Sequence, residues 1–218
     1  MMAIKFDVLK KQAARAVKVF KGLIIGWILV TVSLVFIFKY VNPPLTPLMI
    51  LRMVEAQSAH KKENIIKTWV PLSEVSKEVI DALLFAEDRS FWTHHGFDWQ
   101  GIKIAYRYNK KHKYPISYST ISMQTAKNVF LYPAQTYTRK IFEAYFTVLL
   151  EMIWGKERIL EVYLNVVEMG RGAYGFEAAS QQYFHQPVKS LNAEQAALLV
   201  KCLPDPHFLY SPMPAGLK

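Results

Sequence analysis

The segment Ala86-Glu87-Asp88-Arg89-Ser90-Phe91-Trp92-Thr93-His94-His95-Gly96-Phe97-Asp98 gathers three carboxylates and two imidazoles around three aromatic rings. A run that dense in ionisable groups can be a metal nest, an acid/base centre or a helix end with a polar cap. His94 and His95 are adjacent, so on regular structure they face different directions, whereas a zinc site wants ligands spaced two to four residues apart and a second cluster elsewhere. The metal nest therefore fails as a closed zinc site. Between the other two readings Glu87 decides. Ile80, Leu83 and Leu84 precede it at helical spacing, so their apolar stripe runs directly to its carboxylate. A carboxylate placed there is partly desolvated, the setting in which it can accept and release a proton near neutral pH. A plain amphipathic boundary residue has the same spacing, and periodicity alone leaves both open. Asp88 points about a hundred degrees away and pairs with Arg89 or caps a backbone. Phe91, Trp92, Phe97 and Trp99 fit a core better than a sugar-stacking platform.

A second feature bears on Glu87. From Asp98 to Glu143 the chain carries no acid, while Lys103, Arg107, Lys110, Lys111, Lys113, Lys127, Arg139 and Lys140 all fall inside that interval. A one-signed stretch of this kind serves a polyanion, or rests as a solvated basic face on an anionic membrane. The second reading accounts for Lys110 to Lys113. It accounts less well for Arg139 and Lys140, which open an apolar helix one turn before Glu143, with Phe142, Phe146 and Leu150 around that carboxylate.

Which polyanion is available depends on topology. The chain has 218 residues, a net charge of +10 and a hydrophobic fraction of 52%, high for a soluble protein. The excess is concentrated in residues 22–38, GLIIGWILVTVSLVFIF, which carry no charge and at about 1.5 Å per residue approach a bilayer's hydrocarbon thickness. Lys5, Lys10, Lys11, Arg15, Lys18 and Lys21 precede it against a single Asp7, which keeps the amino terminus in the cytoplasm. The following Tyr40-Val41-Asn42-Pro43-Pro44 offers no small-residue cleavage site, so the expectation is an uncleaved single-pass anchor with all that follows outside the cytoplasm. Nucleic acid is then no partner. Phosphate must come from lipid headgroups or lipid-linked substrates.

The expected organisation is a cytoplasmic basic tail over 1–21, a transmembrane anchor over 22–38, a proline-stiffened connector over 39–60 and one domain over 61–218. That domain reads as mainly α. Ser76 opens a helix carrying Val79, Ile80, Leu83 and Leu84; others are expected over Arg139–Trp154, Lys156–Met169 and Gly175–Phe184, and from the Asn192/Gln195 capping box to Leu203 before Pro204. The segment from Tyr106 to Tyr118 is expected to be a mobile loop. Cys202 is the only cysteine and lies among Leu198, Leu199, Val200 and Leu203, a buried thiol rather than a reactive one. Two glutamates on apolar helix faces thus flank a cationic segment outside a membrane. That suits glycosyl transfer from a phosphorylated donor, one carboxylate deprotonating the acceptor while cations stabilise the departing phosphate. A hydrolytic carboxylate pair would use the same two groups with water as acceptor.

The chain also resembles a known family, the peptidoglycan glycosyltransferases of glycosyltransferase family fifty-one. Glu87-Asp88-Arg89-Ser90-Phe91-x-x-His94-x-Gly96-x-Asp98 is similar to its first motif, Ser119-Thr120-Ile121-Ser122-Met123-Gln124-x-x-Lys127-Asn128 to its second and Arg139-Lys140-x-x-Glu143 to its third. Arg158-Ile159-Leu160-Glu161-x-Tyr163-Leu164-Asn165 resembles the fourth, and Gly172-x-x-Gly175-x-x-Ala178-Ala179-x-x-Tyr183-Phe184 the fifth. The resemblance implies a lysozyme-like helical fold in a bacterial inner membrane. It implies polymerisation of lipid II, an undecaprenyl-diphosphate-linked disaccharide-pentapeptide, with the growing lipid-linked glycan as donor. Glu87 would be the general base. Glu143 would assist at the diphosphate, with a divalent cation such as Mg²⁺, while Lys127, Arg139 and Lys140 neutralise its charge. Ser119, Thr120, Gln124 and Asn128 would line the cleft; Asp88, Phe91 and His94 would complete the substrate-binding set, Asp88 as an orienting brace. Other cell-wall synthesis or division proteins would be partners, and no transpeptidase domain is expected after Phe184.

Two departures stand out. The family usually has two small residues before the Ser-Thr pair and Gln-Gln after it, whereas this chain has Ser117-Tyr118 and Met123-Gln124. The substitutions put substrate contact in this loop in question and are the best support for one rival, a non-catalytic member of the assembly machinery; against the other, a membrane-anchored muramidase or lytic transglycosylase on a similar fold, stands the basic acid-free stretch, since cleaving finished glycan needs no diphosphate site.

Overall fold

The structure is a computed structural model that describes residues 2–58, 65–114, 116–134, 136–170 and 172–203. The chain forms two compact units, residues 1–41 and 42–218. The first is one helix, α1 (Met2–Tyr40), continuous through both the expected tail and the expected anchor. Ala14–Tyr40 is long and apolar enough to cross a membrane, with a mean hydropathy of 2.2, and side chains such as Leu23 (68% exposed) and Val30 (67%) project from it exposed. Its Thr31 hydroxyl donates to the carbonyls of Trp27 and Ile28 at 3.0 Å, satisfied within the helix as a span would require.

The second unit does not open on a bare connector. Residues Pro47–Ser58 form α2, with Pro47 in the first helical position and the Thr46 hydroxyl accepting from the Met49 amide at 3.3 Å. Proline that ends one helix by removing a donor also starts the next, where that donor has no use. The remaining helices are α3 (Lys77–Glu87), α4 (Trp99–Lys111), α5 (Ile121–Phe130), α6 (Tyr137–Ile153), α7 (Lys156–Val166), α8 (Phe176–Phe184) and α9 (Ala193–Lys201). Side chains cap most of their starts: Ser76 on α3, Asp98 on α4, Thr120 on α5, Thr136 on α6 and the Asn192/Gln195 box on α9. Each such cap contributes about 1 kcal/mol.

A small sheet, absent from the periodicity, joins β1 (Ile66–Lys67), β3 (Ala173–Tyr174) and β2 (Glu168–Gly170) in that order, β1 parallel and β2 antiparallel to β3. It shortens the helix expected to run to Met169. Met169 is buried as its spacing requires, but on a strand. The helix expected to reach Leu203 ends at Lys201, and Pro204 and everything after it lie outside the described residues.

At the centre runs α7, with Ile159, Leu160, Val162, Tyr163, Leu164 and Val166 almost wholly buried. Helix α5 packs on α6 and α7, and α3 on α9. Phe130 of α5 stacks parallel on Phe146 of α6 with ring centroids 4.6 Å apart. This arrangement brings the end of α3, one face of α5 and the start of α6 together.

Candidate active site

Glu87 is the last residue of α3, because Asp88 leaves the helical region (φ −160°, ψ 79°). It is half-buried on a cleft of about 550 Å³, with Phe85, Ser90, Ile104, Ile116 and Tyr118 among its walls. The carboxylate does not hang free. Gln124 Nε2 on α5 donates to Glu87 Oε2 at 2.7 Å, and the Tyr163 hydroxyl on α7 donates to Gln124 Oε1 at 3.2 Å. A phenol can only donate to the amide oxygen here, so it turns the amide nitrogen toward Glu87. Burial, and then the charge of Glu87, push the Tyr163 phenol well above its usual range, so it remains a donor at any working pH.

Beneath this relay lies a bracing layer. Asp88 Oδ2 accepts from the Ile121 amide and from His94 Nε2, both at 2.9 Å. The Gly96 amide donates to His94 Nδ1 at 3.0 Å, which places the imidazole proton on Nε2, facing Asp88. Gly96 itself sits at φ +88°, where side chains other than glycine are strained. Lys156 Nζ contacts Glu151 Oε1 at 2.6 Å and lies 4.6 Å above the Phe91 ring, and the Ser122 hydroxyl donates to the same Glu151 oxygen. Asp88, Phe91 and His94 were expected among the substrate contacts. Phe91 has no exposed surface, and the side chains of Asp88 and His94 are 0% and 6% exposed; Phe91 and His94 lie behind the wall, while Asp88 borders the cleft and is held there by Ile121 and His94. Thr120 is corrected likewise: it is fully buried, its hydroxyl donating to the Gly96 carbonyl at 2.6 Å and accepting from the Met123 amide. Met123 points into the core at 3% exposure, so its departure from the family's pattern removes no amide from the cleft.

The second carboxylate lies one helix away. Glu143 is 2% exposed on α6, with Oε1 accepting from Lys140 Nζ at 2.5 Å and Oε2 from the Arg139 guanidinium. Lys140 Nζ also contacts Ser119 Oγ at 3.1 Å. Lys127, Asn128 and Arg139 line a second hollow of about 320 Å³ together with Leu48, Leu131, Pro133 and Ala134. Burial holds the Lys127 ammonium below the usual lysine range; Glu143 opposes that shift, Arg139 and Lys140 add to it, and Glu87 opposes it. Lys127 therefore senses both carboxylates. Gln124 and Lys127 are three residues apart on α5 and share a face, so one short helix carries the partner of Glu87 and the central cation of the Glu143 cluster.

The donor set does not fit a divalent cation held by Glu143. Both of its oxygens are already taken by cations, its neighbours Lys127, Arg139 and Lys140 are all positive, and among the described residues no three His, Cys, Asp or Glu side chains converge. What the cluster can hold is an anion with several oxygens.

The acid-free stretch thus divides. Lys127, Arg139 and Lys140 join the site, while Lys103, Arg107, Lys110, Lys111 and Lys113 are exposed on α4 and the turn after it. Helix α4 reaches Lys111, so the first half of the expected loop, Tyr106 to Lys111, is helical. Tyr163 was visible in the fourth motif, but no spacing rule connects it to Glu87 across 76 positions. The rest of that motif is structural: Asn165 exchanges two 2.8 Å hydrogen bonds with the Val70 backbone, and Glu161 accepts from the Leu72 amide.

Residues 54–215 match the family model described as transglycosylase. Proteins named biosynthetic peptidoglycan transglycosylase are close relatives. The one from Bdellovibrio bacteriovorus is 46% identical over 205 residues, 94% of this chain and 79% of the relative. That from Caulobacter vibrioides is 44% identical over 79% of this chain and 72% of its own length, and that from Dechloromonas aromatica 41% over 86% and 81%. With its mainly α fold, its paired carboxylates and matches that span most of its length, the chain belongs to the transglycosylase family, of lysozyme-like fold.

Proposed function

We infer that this protein is a peptidoglycan glycosyltransferase that polymerises lipid II into glycan strands. One observation carries the reading: α5 joins the two halves of the site, with Gln124 bound to Glu87 and Lys127 under the influence of both Glu87 and Glu143. A proton acceptor and a cationic diphosphate cradle are thereby set around one helix. A muramidase acting on finished glycan has no use for three clustered cations.

In this reading Glu87 removes the proton from the acceptor's sugar 4-hydroxyl as that oxygen bonds to the donor's anomeric carbon. The bond from that carbon to the diphosphate breaks, and undecaprenyl diphosphate leaves with the electron pair. Attack from the opposite face inverts the centre and gives a β-1,4 link. Gln124, held by Tyr163, keeps the carboxylate aimed. Lys127, Arg139 and Lys140 meet the charge that grows on the leaving oxygen, in a site dry enough for fixed cations to count for more than they would in water. The protein's own cations do this work; no step needs a group held by Glu143.

The same reading places the protein in the bacterial inner membrane, amino terminus inside and domain outside. Its support is the six basic residues before the apolar run of α1 against one acid. A substrate embedded in the same bilayer is then met at high effective concentration.

The test is Glu87→Gln, nearly isosteric and unable to take a proton, assayed with labelled lipid II. A positioned general base contributes about 10²- to 10⁴-fold, so turnover should fall by that factor while lipid II binding persists. Retained turnover would remove Glu87 from the role of base. Fragments released from added glycan, in place of polymer, would make the protein a lytic enzyme.

A further inference from the structure

Tyr118 stands where the family usually has a small residue, and the fold makes room for it. Its ring lies directly on the backbone of α4 at Gly101, where an added Cβ would come within 2.1 Å of Tyr118 Cζ. Its hydroxyl donates to Asp98 Oδ2 at 2.5 Å, and Ser90 Oγ donates to the same oxygen at 3.2 Å. Asp98 Oδ1 meanwhile accepts from the Gln100 and Gly101 amides at 3.0 Å, capping α4. Two residues earlier the backbone is clipped again: Asn109 Nδ2 donates to the Ile116 carbonyl at 2.9 Å, and the Ile116 amide donates to Asn109 Oδ1 at 2.7 Å. One residue later, Ser119 meets Lys140 in the cationic cluster. Tyr118 and Ile116 both face the Glu87 cleft, beside apolar Ile104 and Ala105 and polar Ser90 and Gln100. A wall mixing ring, methyl and hydroxyl groups matches a pyranose, which has apolar faces and polar edges.

We propose that Tyr118 is a positioning residue: by latching segment 116–119 to the start of α4 it fixes the acceptor-side wall of the Glu87 cleft and, through the adjoining backbone, the place of Ser119 in the diphosphate cradle. This rests on the glycosyltransferase reading above. The latch holds across the working range of pH, because burial and then Asp98 push the Tyr118 phenol up, while the Tyr118 hydroxyl and then the Gly101 amide hold the Asp98 carboxyl down. The wall is built in place by these bonds, which lowers the cost of ordering it when the acceptor binds.

The test uses the full chain in detergent with lipid II. Tyr118→Phe keeps the ring and removes the latch bond. It should raise amide hydrogen exchange at residues 116–119 at least tenfold, leave exchange in α7 unchanged, and raise KM for lipid II roughly three- to tenfold with kcat within about twofold. Gly101→Ala should expel the ring and raise KM further, yet have little added effect in a Tyr118→Gly background, since the three atoms nearest the new methyl all belong to the Tyr118 side chain. Unchanged exchange at 116–119, or a fall in kcat without a rise in KM, would overturn the proposal. So would a Gly101→Ala effect that is the same with and without Tyr118. A wild-type protein that makes no polymer would instead refute the glycosyltransferase reading, and the exchange data would still decide whether the latch exists.

Discussion

Replacing Glu143 by Gln should weaken the free protein and strengthen its hold on diphosphate. The substitution keeps volume but leaves Arg139 and Lys140 facing a neutral amide, with Lys127 close by. Removing one partner of a fully buried ion pair costs about 3–5 kcal/mol. Glu143 is 2% exposed, but Arg139 is 20% and Lys140 43% exposed, so both cations retain some access to water and the low end, roughly 3 kcal/mol, applies. For a domain of this size that lowers Tm by about 6–12 °C. Inorganic pyrophosphate reverses part of the loss. In the wild type it must compete with the Glu143 carboxylate for the same cations; in the variant it does not, and a tenfold gain in affinity is about 1.4 kcal/mol. Thermal melts of the detergent-solubilised chain across a pyrophosphate series measure both effects, with the variant gaining about 3–6 °C more than the wild type at saturation. Equal gains in the two proteins would show that Glu143 does not hold those cations in reserve for an anion, and the account of the cradle would fail.

Two other predictions concern α5. Gln124→Leu removes a hydrogen bond to a carboxylate, an interaction of about 1.5–3 kcal/mol, and strands the buried Tyr163 hydroxyl. It should lower kcat by about ten- to a hundredfold. Tyr163→Phe should lower it less, and the double variant should match Gln124→Leu alone; additive losses in that cycle would dissolve the relay. Lys127 is held below the usual lysine range, so in the free protein it loses its charge at lower pH than an ordinary lysine. Between that depressed value and the unfolded one the unfolded chain binds more protons, so this residue's contribution to stability rises with pH, while affinity for the diphosphate falls. Lys127→Arg, charged throughout, should move the alkaline limb of kcat/KM to higher pH even if it lowers the maximum, and superimposable alkaline limbs would contradict this.

The sequence disclosed what depends on local periodicity and concealed what depends on contacts between distant elements. The stripe ending at Glu87, the Ser76 cap and the Asn192/Gln195 box involve residues three or four positions apart, and each is present as expected. The sheet was invisible because strands of two or three residues have no alternation to detect. Helix α2 was hidden by Pro47, which reads equally as a stop and as a start. At the site, residue type alone could not separate side chains that line the cleft from those that hold it. Thr120 and Gln124 stand one helical turn apart, yet Thr120 is wholly buried and Gln124 reaches Glu87. Tyr118 was legible only as an anomaly, since its partners Asp98 and Gly101 lie on another helix.

The bracing layer explains why acidic neighbours 87 and 88 have different fates. Helix α5 must be placed accurately, because Gln124 and Lys127 serve both halves of the site. Its amino-terminal end is fixed at two points: the Thr120 hydroxyl on the Gly96 carbonyl and the Ile121 amide on Asp88. Asp88 Oδ2 faces the helix's first amide, where the aligned peptide dipoles favour negative charge, and the same oxygen meets His94 Nε2. The Asp88 side chain is thereby tied to the start of α5, with no exposed surface. Glu87, one residue earlier, keeps a single amide partner and a place on the cleft, as the proposed role of base requires. The turn that ends α3 therefore leaves one carboxylate on the cleft and ties the other to the helix whose Gln124 holds the first.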